Sequence, residues 1–532
     1  MQAARGILLT GLAATLLWCA LTLPSAVHQV EPATFARLPL EAVGLLALLV
    51  VLPGRASRTR AVVAVVAGVL LAGLSVLRLL DMGFLEALGR PFNPVVDWGN
   101  IASGATLVLD AVGRAAGLGL LALTGVVILG LFVAMPLAVA RIAGSASRHR
   151  FTARRVTVVL AGIWLVLALG GVKVGGAPLA SSDASQYAYR QVAAIPQGLR
   201  DQREFSAAAA QDPLRSMLSD QLLAGLRGKD VLFVFVESYG RVALEDPELS
   251  GGIRELLTSE GGSLRARGFA SRSAFLTSPT VGGTSWLAHS TLQSGLWVDS
   301  TQRYDVLLDS DRLTLSHAFA RAGWRTVVDV PANTADWRRR SFYHWDQLYD
   351  SRNVGYTGPR FGYPTIPDQY TLEALHRLEL ATADRQPIMA EVDLVSSHAP
   401  WAPLPQLVPQ EEIGDGSVYG AMPQRTAPSG VAATRAAYAH SIEYSLASVF
   451  SFLEAHGDDD TVVVVMGDHQ PATIVTGTDR GHDVPITIIA RDPAVLEQID
   501  EWGWDEGLIP APDAPLWRMD SVRDRFLDAF HS

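Results

Sequence analysis

Residues 231–238 read "VLFVFVES": six apolar residues in a row, then a carboxylate and a hydroxyl. A strand with one wet face alternates polar and apolar residues. This run does not alternate, so it predicts a strand buried on both sides. "IMAEVDLVSS" (388–397), "TVVVVMGD" (461–468) and "VPITIIAR" (484–491) are further runs of this kind, and "RTVVDV" (325–330) follows the helical stretch "LTLSHAFARAGW". "ATRAAYAHSIEYSLASVFSFLEAHG" (433–457) reads as a helix closing on a glycine C-cap. Fully apolar strands separated by helices predict an α/β domain with a largely parallel sheet covered by helices on both faces. No internal repeat or low-complexity tract interrupts it.

In such sheets, sites form at the carboxyl ends of strands. The strand-end residues here are Glu237-Ser238, Gly467-Asp468-His469 and Ser396-Ser397-His398. Each alone reads as a cap or an ion-pair partner. Together they predict one shared site. Glu237, Asp468 and His469 make an oxygen and nitrogen donor set that suits a divalent cation. One more ligand is wanted, and "SPTVGGTSWLAHSTLQSG" (278–295) offers it. Its glycines allow a sharp turn and close approach of a phosphate. The helix start that follows presents N–H groups to an anion. A hydroxyl is a weak nucleophile until a metal lowers its pKa. Thr284 and Ser285 both supply one. His482, in "GHDVPI", and Arg272 are secondary candidates for the site, and Asp368 reads as a helix N-cap.

Upstream the composition changes. Five runs, 6–24, 36–53, 61–80, 116–140 and 156–174, are apolar enough to predict membrane spans. Segment 81–115 is too polar to span and reads as an outer loop with an amphipathic interfacial helix. Arg5, then Arg55, Arg58 and Arg60, then Arg141, Arg148, Arg150, Arg154 and Arg155 mark one side of the bilayer. By the positive-inside rule that side is cytoplasmic, and five spans put everything after residue 175 outside the cell. Three regions follow: a membrane domain over 1–175, a helical linker over 176–228 and an extracellular domain over 229–532.

Charge agrees with this division. Residues 1–175 hold 14 Arg or Lys against 6 Asp or Glu, a balance of +8; the whole chain is at −10, which leaves −18 for the rest. So acidic a domain excludes nucleic acid as a partner and must bind anions through local cations. The single cysteine, Cys19, excludes an intrachain disulfide and any cysteine-based metal site.

"VFVES", "GGTSWLAHSTLQSG", "SSHAPW" and "VMGDHQP", in this order behind N-terminal spans, resemble the lipoteichoic acid synthase-type phosphoglycerol transferases of the alkaline phosphatase/sulfatase superfamily. The resemblance implies an extracellular sulfatase-like catalytic domain. It implies Glu237, Thr284, Asp468 and His469 as ligands of one divalent metal, Mn2+ first, with Zn2+ or Mg2+ as alternatives. It implies Thr284 rather than Ser285 as nucleophile and His398 as general acid/base and phosphate contact. Trp337 and Arg339, in "ADWRRR", match the Trp-x-Arg pair that contacts the headgroup; Arg339 alone of residues 338–340 is assigned to the site. The implied partners are the lipid bilayer, a phospholipid donor and a glycan, lipid or polymer acceptor. Water as acceptor, a phosphoethanolamine donor and a non-catalytic binding domain stay open. The run "TSPTV" (277–281) lacks the Cys/Ser-x-Pro-x-Arg pattern, which argues against a formylglycine sulfatase.

Overall fold

The computed structural model describes residues 2–52, 57–98, 101, 114–335, 337, 339–361, 366–382, 384–422, 428–477 and 481–531. Its contacts divide the chain into two units, Met1–Asp201 and Gln202–Ser532. The division falls inside one helix, α6 (Asp183–Ala210), which occupies the expected linker.

The first unit is helical. Helices α1 (Gln2–Thr22), α3 (Ser57–Leu88), α4 (Arg114–Arg148) and α5 (Arg150–Leu169) are long and apolar enough to cross a membrane. The expected fifth span, 36–53, is corrected: it forms only α2 (Leu40–Val51), 12 residues. At 1.5 Å per residue such a helix is about 18 Å long, against about 30 Å of hydrocarbon. A two-residue strand and Pro39 precede it, and Pro39 leaves its first turn without a side-chain cap. Small residues dominate the packed seam, with Ala13, Ala20, Ala64, Ala72, Ala138 and Ala143 letting α1, α3 and α4 approach closely. Of the expected 81–115 loop, α3 takes the residues up to Leu88; residues 99–100 and 102–113, with the amphipathic helix expected there, lie outside the described residues, as does Arg55.

The described arginines gather helix ends. Arg60 and Arg150 both donate to the Leu52 carbonyl after α2, at 2.9 and 2.7 Å, and Arg141 donates to Gly6 in the first turns of α1 at 2.7 Å. At the other end, the strand before α2 pairs with Ala180–Ser181 beyond α5. Short α2 thus returns the chain to the arginine-rich end.

The second unit is built on one mixed sheet. Its strands are β1 (Asp230–Val236), β2 (Ala270–Thr277), β3 (Arg325–Val330), β4 (Gln347–Asp350), β5 (Ile388–Leu394), β6 (Thr461–Gly467), β7 (Asp483–Ala490), β8 (Asp505–Glu506) and β9 (Leu516–Arg518). The order is β8-β2-β7-β6-β1-β5-β3-β4, with β9 beside β2. The block β6-β1-β5-β3-β4 is parallel throughout. The expectation of a largely parallel sheet holds for that block, but β7 runs antiparallel to both β6 and β2.

Every residue of β1 is buried. Leu232, Val234 and Val236 face α7 (Ser250–Ala266), α10 (Asp368–Leu375) and α11 (Val431–His456). Val231, Phe233 and Phe235 face α8 (Ser285–Ser294), α9 (Leu315–Ala322) and α12 (Val522–Ala529). The non-alternating pattern therefore records two covered faces. Helix α11 ends at Gly457 as expected, but with φ −70 rather than left-handed. Glycine is needed there for space: a Cβ would lie 2.5 Å from the Leu453 carbonyl oxygen and 2.7 Å from the Phe269 ring.

Candidate active site

The parallel block brings β1, β5 and β6 to one edge, with their carboxyl ends side by side. Val236 pairs with both Gly467 and Leu394. The next residue in each chain direction therefore enters the same space. Glu237, Asp468 and His469 meet there, and all three are buried. His469 Nε2 is 3.3 Å from Glu237 Oε1 and 3.5 Å from Asp468 Oδ2. Its Nδ1 donates to the Gln470 carbonyl at 2.9 Å, which turns Nε2 toward the two carboxylates.

Backbone and hydroxyl donors hold the carboxylates in place. Asp468 Oδ1 accepts from the N–H groups of Ser238 and His469, both at 2.7 Å. Among the described residues, Asp468 Oδ2 is buried with no hydrogen-bond partner. Ser397 Oγ donates to the Glu237 carbonyl at 2.6 Å, and Ser278 Oγ to the Asp468 carbonyl at 2.5 Å. No sequence spacing marks these two serines as supports.

Burial alone would raise the Glu237 carboxyl, but attraction to His469, its hydrogen bond and the charge of His398 outweigh that and hold it well below the usual range. Burial and the Glu237 charge push Asp468 up to about 6. Burial would lower His469, but Asp468 and Glu237 raise it to about 9. The site thus concentrates negative charge around one imidazole nitrogen and one unpartnered carboxylate oxygen. That donor set, buried and aimed inward, fits a divalent cation.

The nucleophile turn lies beside this trio. Gly282 and Gly283 adopt φ +74 and +152, which seats the start of α8 against the strand ends. Thr284 is its N-cap, in the left-handed region at φ 63. For a β-branched residue that conformation is strained, and such outliers cluster at functional sites. Thr284 Oγ1 donates to the Gly283 carbonyl at 2.6 Å. The hydroxyl that touches the trio is that of Ser285, which donates to Glu237 Oε2 at 2.8 Å and lies 3.3 Å from His469 Nε2.

The other expected residues divide. His398 follows β5 in the turn beside Glu237, and its Nδ1 donates to the Ala399 carbonyl at 2.6 Å. His482 donates from Nδ1 to the carbonyl of Ser278, the same residue whose hydroxyl supports Asp468. Trp337 and Arg339 bond away from the trio. Trp337 Nε1 reaches the Tyr304 hydroxyl at 3.4 Å, and Arg339 pairs with Asp305 of the helix Thr301–Leu308 and with its C-cap Asp309. Arg338 lies outside the described residues. Arg272 is corrected as a site cation: it sits on β2 and pairs with Asp500 and Glu506. Asp368 is corrected as an N-cap. Pro367 holds that position, while the Asp368 carboxylate accepts from the N–H groups of Val395 and Ser396 and from Ser445 Oγ, at 2.8, 2.9 and 2.5 Å. It therefore anchors the turn that carries His398.

A Sulfatase family model matches residues 229–488, from just ahead of β1 into β7. No curated protein matches the chain. Among solved structures it is similar to the lipoteichoic acid synthase LtaP of Listeria monocytogenes, at 17% identity over 56% of this chain and 71% of that one, TM-score 0.37. It is similar to the phosphoglycerol transferase GacH of Streptococcus pyogenes in complex with sn-glycerol-1-phosphate, at 12% identity over 62% and 89%, TM-score 0.34. It is also similar to the C-terminal periplasmic domain of EptC from Escherichia coli in complex with Zn, at 13% identity over 57% and 83%, TM-score 0.39.

Proposed function

We propose that this protein is a membrane-anchored, metal-dependent transferase. It moves a phosphoglycerol-type headgroup from a membrane phospholipid to a cell-envelope acceptor through a covalent phospho-threonine intermediate on Thr284. The observation that carries the reading is the convergence of Glu237, Asp468 and His469 on the start of α8, where Ser285 Oγ bonds Glu237 and Thr284 is the residue before it. Membrane helices ahead of the domain support it, because an anchored enzyme meets a lipid donor at high effective concentration.

Glu237, Asp468 Oδ2, His469 Nε2 and the nucleophile's hydroxyl are the groups that would hold the cation, with Mn2+ first and Zn2+ or Mg2+ as alternatives. When bound, the cation supplies Lewis acidity, lowering the hydroxyl's pKa and withdrawing charge from the phosphoryl oxygens. The residues of the chain do the rest. Gln470 and Ser278 fix the imidazole and carboxylate that face the hydroxyl. The first N–H groups of α8 bind phosphoryl oxygens. The hydroxyl releases its proton to water as its oxygen forms a bond to phosphorus, the bond from phosphorus to the diacylglycerol oxygen breaks, and His398 gives that oxygen a proton. The acceptor hydroxyl then reverses the sequence, with His398 taking its proton.

A second reading exchanges the nucleophile, and one contact favours it: Ser285, not Thr284, has its hydroxyl on Glu237 and near His469. Left-handed strain favours Thr284. Mass spectrometry of the 284–285 peptide after exposure to membrane lipids names the nucleophile by fragment ion and the donor by mass increment. Labelled phosphatidylglycerol is expected to yield diacylglycerol and a labelled acceptor; free glycerol phosphate would mean water is the acceptor. A phosphoethanolamine adduct would change the donor. No adduct and no cleavage, with metal bound, would leave a binding domain.

The arginine-rich end of the first unit is read as cytoplasmic and the catalytic domain as extracellular. Support comes from Arg60, Arg141 and Arg150 at one end, with α5 leading away from it. Protease shaving of intact cells is expected to remove the second unit; protection of that unit would reverse the assignment.

A further inference from the structure

We propose that Glu373, His376 and His456 form a second divalent-cation site, of the Zn2+ class, that ties α10 to the last turn of α11. Glu373 and His376 are three residues apart on one helical run, so both side chains leave the same face. At His376 the helix widens into a π-turn, His376–Leu380, a feature that recurs at functional positions. His456 is the last residue of α11, which packs beside α10. A Glu-x-x-His pair with a histidine from a facing helix is a recurring way to build a metal site between helices.

The three donors already converge. His456 Nε2 is 2.8 Å from Glu373 Oε2, and His376 Nδ1 is 4.0 Å from Glu373 Oε1. The imidazoles are stacked with centroids 3.6 Å apart. Two nitrogens and a carboxylate leave one position of a tetrahedron for water. Stacked rings do not share one in-plane point, so binding must turn at least one ring about its Cβ–Cγ bond. The side chains retain 26% exposure at His376, 19% at His456 and 18% at Glu373, which gives both that freedom and a path for the ion. Arg385, whose charge reaches His376, is itself paired with Asp230.

This cluster is separate from the catalytic trio. His456 lies ahead of β6 and Asp468 follows it, so the seven residues of the strand, about 23 Å, lie between them. The bound cation would brace the helix whose Asp368 anchors the His398 turn.

The test uses the full chain, stripped by a chelator and titrated with Zn2+, with Co2+ for its absorption spectrum. Two equivalents are expected in the wild type. A Glu237→Gln/Asp468→Asn variant should keep one, while His376→Ala/His456→Ala should lose one and keep normal turnover per catalytic ion. Glu373→Gln and His376→Gln, singly, should each weaken the second equivalent about tenfold or more, which covers the case in which the double variant does not fold. Full retention of both equivalents in the histidine and Glu373 variants would overturn the proposal. So would a wild type that binds a single equivalent removed by Glu237→Gln/Asp468→Asn. Loss of the first equivalent alone would count against the catalytic reading and leave this site standing.

Discussion

Among the described residues of the second unit, two constellations join one imidazole to two carboxylates, and they are built differently. Glu237, Asp468 and His469 stand just beyond the ends of β1 and β6, facing the start of α8. His289, Glu391 and Asp393 lie within the layer between β5 and α8. His289 stacks on Phe235 with centroids 3.9 Å apart, and its Nδ1 is 3.3 Å from Glu391 and 3.4 Å from Asp393. The other oxygen of Glu391 accepts from Gln293 at 2.5 Å. Burial would lower His289, but Asp393 and Glu391 outweigh it and raise it to about 10. A proton on Nδ1 bonds Glu391 and is attracted to the charge of Asp393. The same residue types make an ion pair within the strand and a donor set beyond its end, where hydroxyls and a helix N-terminus adjoin.

That contrast can be broken most sharply at the trio. Glu237→Gln or Asp468→Asn should lower turnover by at least about 100-fold and remove one metal equivalent, whereas Glu391→Gln should leave metal content unchanged. An ion lost from Glu391→Gln would erase the distinction. Chelation should abolish turnover, with Mn2+ restoring it; turnover that survives exhaustive chelation would exclude a metal at the trio.

At the helix start, Thr284→Ala and Ser285→Ala separate the two hydroxyls. The variant lacking the nucleophile forms no phospho-adduct, while the other should keep it with turnover reduced about tenfold to 100-fold. Equal adduct in both variants would sink both assignments.

The core constellation speaks through stability. His289→Ala leaves two carboxylates without their cation and should cost about 3 kcal/mol, read by denaturant unfolding. The smallest effect is its pH dependence. His289 holds its proton to about pH 10 when folded and to about 6.5 when unfolded. Its contribution is therefore full below about 6.5 and is lost as pH rises toward 10. His289→Gln should flatten that decline; an unchanged slope would show that the pair carries no charge.

How much of this was legible depends on how local each cause is. Glu237 and Asp468-His469 could be found because each directly follows an unbroken apolar run, and strand ends in a parallel block must share an edge. The antiparallel course of β7 could not, since "VPITIIAR" is equally apolar whichever way it runs. The run 36–53 carried enough hydropathy for a span, but Pro39 and the strand before it shorten the helix. Asp368 sits where an N-cap would, yet its partners lie 27, 28 and 77 residues away. Arg339 matched a pattern on a loop, and Asp305 and Asp309 claim its guanidinium.

By itself, the sequence determined the four long apolar helices, the α/β layering and the strand-end donors. Those follow from hydropathy and period, which neighbouring residues settle among themselves. Only the tertiary structure decided which of two adjacent hydroxyls touches Glu237, how His469 presents Nε2, and that Glu373 and His376 meet His456 across 80 residues. Those depend on rotamers and on packing between distant segments, and no local pattern encodes a distance between atoms that the chain brings together only by folding.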